Sequence, residues 1–202
     1  MTFEVERKTI EIPMVTSKML DNNIGYVAVY EFEETTSEQF NQAIDALTAQ
    51  GMKGLIIDLR DNPGGLVNSA TAILDRILSK DQLLVYTVDK NGKKQEEYTE
   101  DDETINVPIS VLINGNSASA SEIVSGCLQD YGKAKLVGTT SFGKGIVQYV
   151  LPLGDGSAIK LTSAKYYTPN GRNIHGTGID PDVEVELNSD SETDTQLEKA
   201  QE

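Results

Sequence analysis

The segment Gly54-Leu55-Ile56-Ile57-Asp58-Leu59-Arg60-Asp61-Asn62-Pro63-Gly64-Gly65 passes from an apolar run into a glycine turn. Residues 54–59 are short and almost continuously apolar, as expected of a strand covered on both faces. The Asn62-Pro63-Gly64-Gly65 turn then leads into an amphipathic helix through Ala70, Ile73, Leu74 and Ile77. The same order occurs upstream. Ile24 to Phe32 alternates in part and is rich in β-branched and aromatic residues, a strand signature. Thr35 with Glu38 matches a capping box, and Phe40, Ala43, Ile44 and Leu47 line one helical face before Gly51 stops it. Strand and helix alternate without an internal repeat, so the class is α/β.

Downstream, Leu83–Val88 and Gln95–Tyr98 flank Asn91-Gly92, a two-residue hairpin signal. The acidic run from Glu96 to Glu103 reads as a solvated edge. Pro108–Ile113 is another buried-type strand, followed by a helix over Ser117–Leu128. Strands are expected at Leu136–Gly138, Ile146–Val150 and Ala158–Tyr167, the last turned in by Gly154-Asp155-Gly156. Beyond Leu187 there is almost nothing to bury, so 188–202 reads as a disordered acidic tail after a core spanning 1–187.

With 202 residues, 38% hydrophobic and 24% charged, the chain fits one globular domain. Its 17 basic and 32 acidic residues leave a net charge of −15. That balance argues against a nucleic-acid partner and against docking on an anionic membrane through basic residues. No apolar run approaches the roughly 18 residues that span a bilayer. One cysteine, Cys127, leaves no intrachain disulfide and no multi-cysteine metal site. One histidine, His175, leaves no multi-histidine metal site, and its glycine-flanked loop reads as surface. Cys127, in mid-helix, reads as a small buried packing residue. Arg60, at a buried strand end, calls for a carboxylate, with Asp58 and Asp61 both in reach along the chain.

Three segments could carry chemistry. In Leu59-Arg60-Asp61-Asn62-Pro63-Gly64-Gly65, a strand running into a glycine pair exposes N–H groups that can hold an oxyanion or phosphate. The plain alternative is a tight turn, and the spacing of a P-loop is missing. In Asn114-Gly115-Asn116-Ser117-Ala118-Ser119-Ala120-Ser121-Glu122, a serine at a helix start suits a nucleophile, although Ser and Asn are also favoured caps. In Phe142-Gly143-Lys144-Gly145 with Gln148, a lysine beside apolar strands can be desolvated. Desolvation favours the neutral amine, which can take a serine proton; the plain alternative is a surface charge. Gln148 shares a strand face with Lys144 if that strand is continuous.

Together, in this order and spacing, LRDNPGG, NSASASEI and FGKG with Gln148 resemble the C-terminal processing peptidases, or tail-specific proteases. The resemblance extends through Asp155-Gly156-Ser157, Tyr166–Arg172 and Gly178–Asp182, and covers about residues 10 to 187. It implies a crotonase/ClpP-like α/β core with a mixed β-sheet, flanking helices and β-hairpin insertions. It also implies Ser119 as nucleophile, Lys144 as general base and Gln148 as the lysine-positioning residue. The oxyanion hole would be the N–H groups of Ala120 and Gly65, with Gly64 the second choice.

The implied activity is a serine endopeptidase that cleaves proteins near their C-termini through a Ser-Lys dyad and an acyl-enzyme. No metal or organic cofactor is called for. Substrates would be proteins or peptides with apolar C-termini, entering extended as an added strand. Family members carry a PDZ domain, and Thr2-Phe3-Glu4-Val5 resembles its last strand. They act outside the cytoplasm, membrane-associated or secreted, and edge-strand pairing offers a route to a homodimer. One rival is a non-catalytic peptide- or ligand-binding module on the same fold, which has no reason to keep Ser119, Lys144 and Gln148. Another is an acyl-CoA enzyme sharing the glycine loops, disfavoured by the net charge.

Overall fold

The computed structural model describes residue 3, residues 6–8, residue 10, and residues 12–102, 104–188 and 193–202. In chain order the elements are β1 (Val15–Met19), β2 (Ile24–Val29), α1 (Thr36–Ala49), β3 (Gly54–Asp58), α2 (Val67–Ile77), β4 (Leu83–Asp89) and β5 (Lys94–Tyr98). There follow β6 (Ile109–Ile113), α3 (Ala120–Asp130), β7 (Ala134–Gly138), β8 (Ile146–Pro152), β9 (Ala158–Tyr167), β10 (Val183–Glu184) and α4 (Thr195–Ala200).

Two sheets form. Six strands run in the order β1-β2-β3-β6-β7-β10, and four in the order β5-β4-β9-β8. In the first, β2, β3, β6, β7 and β10 are parallel and β1 pairs antiparallel with β2. The second is antiparallel throughout. This is the mixed-sheet α/β architecture expected from the sequence.

The run of residues 54–59 is apolar because β3 is central and covered on both faces. Leu55 and Ile57 join the core beneath the helices with Phe40, Ile44, Leu47, Ile73, Leu74 and Ile123. Ile56 faces the other way with Leu112 and Val137. Each of these aliphatic side chains, removed from water, contributes about 1.5–3 kcal/mol. Parallel crossovers bring the C-terminal ends of β3 and β6 side by side, with Asp58 in register with Leu112. The glycine turn after β3 and the serine segment after β6 therefore meet.

Two local expectations are revised, and one strand is added. Thr35 makes no side-chain cap to α1; Thr36 Oγ1 instead accepts from Glu33 N–H and donates to the Glu31 carbonyl. Strand β1 is an addition, its VTSKM sequence too polar to announce an edge strand. The disordered tail expected over 188–202 is not what forms in the described part of that segment. Helix α4 docks through Leu197 and Ala200 on the Ile56–Leu112–Val137 face, and Asp194 caps it by accepting from Leu197 N–H at 2.9 Å. Gln196, buried, also donates to the Val185 carbonyl at 2.7 Å, and contacts of this kind are too sparse for composition to reveal. The strand expected at Thr2-Phe3-Glu4-Val5 lies outside the described residues except for Phe3, which belongs to no strand. Glu103, at the end of the acidic run, also lies outside them.

Candidate active site

The serine segment closes over the end of β3. Ser117 is buried and its Oγ donates to the Leu59 carbonyl at 2.7 Å. Ser121 is buried and donates to the Asn62 carbonyl at 3.0 Å. These two hydroxyls tie the segment to the glycine turn. The middle one, Ser119, is half-buried at the N-cap of α3 with φ 55 and ψ −110. A non-glycine residue is held there only when its surroundings over-determine it, as at nucleophile turns. Of the three serines, Ser117 and Ser121 are committed to the turn, and Ser119 holds the strained position.

The glycine turn lies against that residue. Asn62 is buried, donates to the Val29 carbonyl at 2.8 Å and accepts from Gly64 N–H at 2.9 Å. A Cβ on Gly64 would lie 2.8 Å from Ser119 Cβ and 3.0 Å from Ala120 N, so only glycine leaves that space open. Gly65 pairs with Phe32 as an isolated bridge, leaving its own N–H outward. Among the described residues, neither Gly65 N–H nor Ala120 N–H donates to a protein acceptor. Ala120 is fully buried. A buried donor without a partner is rare, and this one faces the space that Gly64 leaves. The pair can receive an oxyanion.

Lys144 arrives from the other sheet, on the loop entering β8, and is half-buried. Glu122, fully buried on α3, reaches this loop as well. Its Oε2 accepts from Ser119 N–H at 2.8 Å and Lys144 N–H at 2.9 Å. Its Oε1 accepts from Ser141 Oγ at 2.6 Å and Gly143 N–H at 2.7 Å. Tyr166, buried on β9, donates to the Ser119 carbonyl at 3.1 Å and to the Lys144 carbonyl. Burial, with a smaller contribution from the Glu122 charge, pushes the Tyr166 hydroxyl well above its ordinary range, so it remains a donor.

Of the residues expected at the site, the structure brings Ser119, Ala120, Gly64, Gly65 and the Lys144 backbone together. Gln148 follows Lys144 on the same segment, but not along one strand face. Strand β8 begins at Ile146 and its register with β9 shifts between Val147 and Gln148, so no continuous strand face joins the two residues. The Gln148 amide donates to Thr162 Oγ1 at 3.3 Å. Gln148 does line a cavity of about 610 Å³ that opens on Gly65. Leu66, Val67, Val85, Ile123 and Val147 give that cavity apolar walls, with Asp89 and Glu97 on the β4–β5 side. A larger recess of about 820 Å³ lies between the end of α3 and residues 170–182; neither Ser119 nor Lys144 lines either space, but Gly65 and Tyr166 line the smaller one.

Sequence reasoning passed over Glu122 and Tyr166. The Ser119-Ala120-Ser121-Glu122 spacing is itself a capping-box pattern and could have drawn attention to Glu122. Tyr166 carries no local signal, since its partners come from α3 and a loop. Arg60 pairs with Asp58 at 2.6 Å and Asp194 at 2.8 Å. Asp61 instead accepts from Asn114 and Asn116, whose side-chain hydrogen bonds hold its carboxyl below the usual range. His175 is exposed. Cys127 is buried, and desolvation pushes its thiol far up, away from nucleophilic use.

Comparison with known proteins gives a consistent set of relatives. The model of peptidase family S41 matches residues 23–185. The carboxy-terminal processing protease CtpA of Bacillus subtilis is 41% identical over 183 residues, covering 91% of this chain and 39% of that protein. A carboxy-terminal-processing protease of Bartonella bacilliformis is 42% identical over 192 residues, covering 91% of this chain and 43% of that protein. Among solved structures, a photosystem II D1 C-terminal processing protease superimposes with TM-score 0.78 at 32% identity, over 89% of this chain and 50% of that one. The chain thus spans about two fifths of the length of the curated relatives it matches.

Proposed function

Because the chain belongs to peptidase family S41, we propose that it is the catalytic part of a C-terminal processing serine endopeptidase using Ser119 and Lys144. Neutral Lys144 Nζ takes the proton from Ser119 Oγ, and the oxygen attacks the scissile carbonyl carbon. The tetrahedral oxyanion accepts from Ala120 N–H and Gly65 N–H. Lys144 then returns the proton to the departing amine, leaving an ester on Ser119 that water hydrolyses by the same base. Gln148 acts as the lysine-positioning residue from the cavity wall.

One observation carries this reading. The strained Ser119 stands beside a fully buried, unpartnered Ala120 N–H, and the space in front of that donor exists only because Gly64 lacks a side chain. A pure binding module has no use for a strained serine at that point.

The substrate in this proposal is an extended polypeptide with apolar residues near its C-terminus. The apolar walls of the 610 Å³ cavity support that class. So does β8, whose outer edge is unpaired at the end of its sheet. Exposed edge groups accept an added strand. Residues 1–187 would act with a PDZ domain, outside the cytoplasm, and as a homodimer if edges pair; these follow from the family resemblance. No helix among the described residues is long and apolar enough to cross a membrane.

The test compares this chain with Ser119→Ala and Lys144→Ala on an unfolded protein between pH 6 and 10. Cleavage lost in both variants, with a wild-type rate that rises as the amine deprotonates, is the expected result. Cleavage surviving Ser119→Ala removes the nucleophile assignment. Binding of the substrate without cleavage, by all three chains, favours the binding module.

A further inference from the structure

The two members of the dyad come from different sheets. Ser119 follows β6 of the parallel sheet, whereas Lys144 leads into β8 of the antiparallel one. Nothing local in the chain fixes their separation, because 24 residues, one helix and one strand intervene. Yet the same two residues are gripped twice. One oxygen of Glu122 accepts both of their N–H groups, at 2.8 and 2.9 Å. The single O–H of Tyr166 is shared between both of their carbonyls. The Tyr166 N–H also donates to the Gly145 carbonyl at 3.2 Å, extending the grip along the lysine loop.

Resting on the Ser119–Lys144 reading above, we infer that Glu122 and Tyr166 are positioning residues whose paired backbone contacts set the alignment of the dyad across the two sheets. The physical reason is the short reach of proton transfer. A base must stand within about 2.6–3.2 Å of the oxygen it deprotonates. A lysine side chain on a glycine-flanked loop has many rotamers, so its Cα must be held if the amine is to find one serine. Glu122 and Tyr166 hold that backbone from opposite polarities, an acceptor on the donors and a donor on the acceptors. Both are buried, where hydrogen bonds are stronger and an unmade one costs more. Neither side chain moves a proton in the reaction. A misplacement of about 1 Å costs on the order of a hundredfold in rate.

Tyr166→Phe is the sharpest test, since the ring keeps its place in the core and only the hydroxyl is lost; Glu122→Gln is the second. Two readouts are taken well below the melting temperature. The first is kcat and KM on a short peptide amide. The second is backbone amide exchange at Ser119 and Lys144. The expectation for Tyr166→Phe is a fall in kcat of about 10- to 100-fold with KM unchanged. Exchange at residues 119 and 144 should quicken together in either variant. A merely structural tyrosine would lower the melting temperature and leave kcat of the folded protein alone, and that result overturns the inference. So does loosening of one residue without the other. Ser119→Ala separates the two levels of argument. If it keeps activity the dyad reading fails, while the paired exchange still decides the clamp. In a chain that cleaves nothing, coupled quickening supports the clamp and uncoupled exchange overturns it.

Discussion

The six-stranded and four-stranded sheets both contribute to the candidate site and differ in almost every other respect. The parallel sheet is buried on both faces, by α1 to α3 on one and by α4 on the other. The antiparallel sheet has one face over the cavity, while the far half of its β8–β9 hairpin stands free. Tyr149, Leu151, Ile159 and Leu161 are 45–59% exposed there, and β5 is exposed along its whole length. Cross-strand register puts Tyr149 opposite Leu161 and Leu151 opposite Ile159, so these four make one apolar face. The proposed nucleophile and oxyanion donors belong to the buried sheet and the proposed lysine base to the exposed one. Geometry that must be exact before substrate arrives sits where packing leaves no alternatives. The part proposed to admit a chain sits where local opening costs little.

The largest effect expected from breaking this contrast is on the buried side. A Cβ on Gly65 would lie 2.2 Å from the Phe32 carbonyl oxygen, at a φ of +133. Gly65→Ala should therefore lower kcat by about 100-fold or more through the displaced oxyanion donor. It should also cost about 1–3 kcal/mol of stability from the forced backbone. Peptide kinetics and urea unfolding measure both; a wild-type kcat would remove Gly65 from the oxyanion hole.

A smaller effect is expected from the exposed side of the site. Gln148→Ala should lower kcat by about tenfold with little change in stability, since among the described residues its amide bonds only to Thr162 at 3.3 Å. Equal losses in kcat and folding stability would make Gln148 a sheet residue and nothing more.

The third prediction concerns the thinner cover of the buried sheet. Arg60 donates to both Asp194 oxygens, at 3.0 and 2.8 Å. Burial opposes ionisation of Asp194, but the Arg60 hydrogen bonds outweigh it and hold the carboxyl below the usual range. Its folded value lies below the unfolded one, so its contribution is complete above an ordinary carboxyl value of about 3.9 and fades as pH falls through the folded value. Amide protection of Leu197 and Ala200 should be flat from neutral pH to about 5 and decline below about 4. Asp194→Asn should weaken it at every pH by about 1–2 kcal/mol. Protection unaffected by that change would mean that Leu197 and Ala200 dock α4 unaided.

The smallest stability effect belongs to the free hairpin. Leu151→Lys should change folding stability by no more than about 0.5 kcal/mol, because the side chain is already 48% exposed. Cleavage of an unfolded protein should fall while hydrolysis of a short peptide does not. Equal effects on both substrates would place Leu151 outside the substrate path.

Legibility followed the same division. The β3, β6 and α1–α3 segments were readable because burial imposes a composition: Leu55, Ile56 and Ile57 can be apolar together only where both faces are covered. Glycine spacing exposed the 62–65 turn for a similar reason, since Gly64 and Gly65 occupy positive φ with neighbours closer than a Cβ permits. Strand β1 was not readable because its sequence is too polar to mark a strand, and helix α4 because its partners lie far along the chain. Arg60 and Asp194, 134 residues apart, are the clearest case.

By itself, then, the sequence determined the α/β class, the buried strands, the glycine and serine turns at their ends, and the order in which Ser119 and Lys144 occur. Those features depend on local backbone preference and on which side chains can leave water, and both are written residue by residue. Only the tertiary structure decided that Ser117 and Ser121 tie down the turn while Ser119 does not, and that Ala120 N–H is buried without a partner. It also decided that Glu122 and Tyr166 hold the same two residues. Such facts depend on distances between segments that no periodicity encodes, because hydrogen bonds are satisfied wherever folding brings donor and acceptor within about 3 Å.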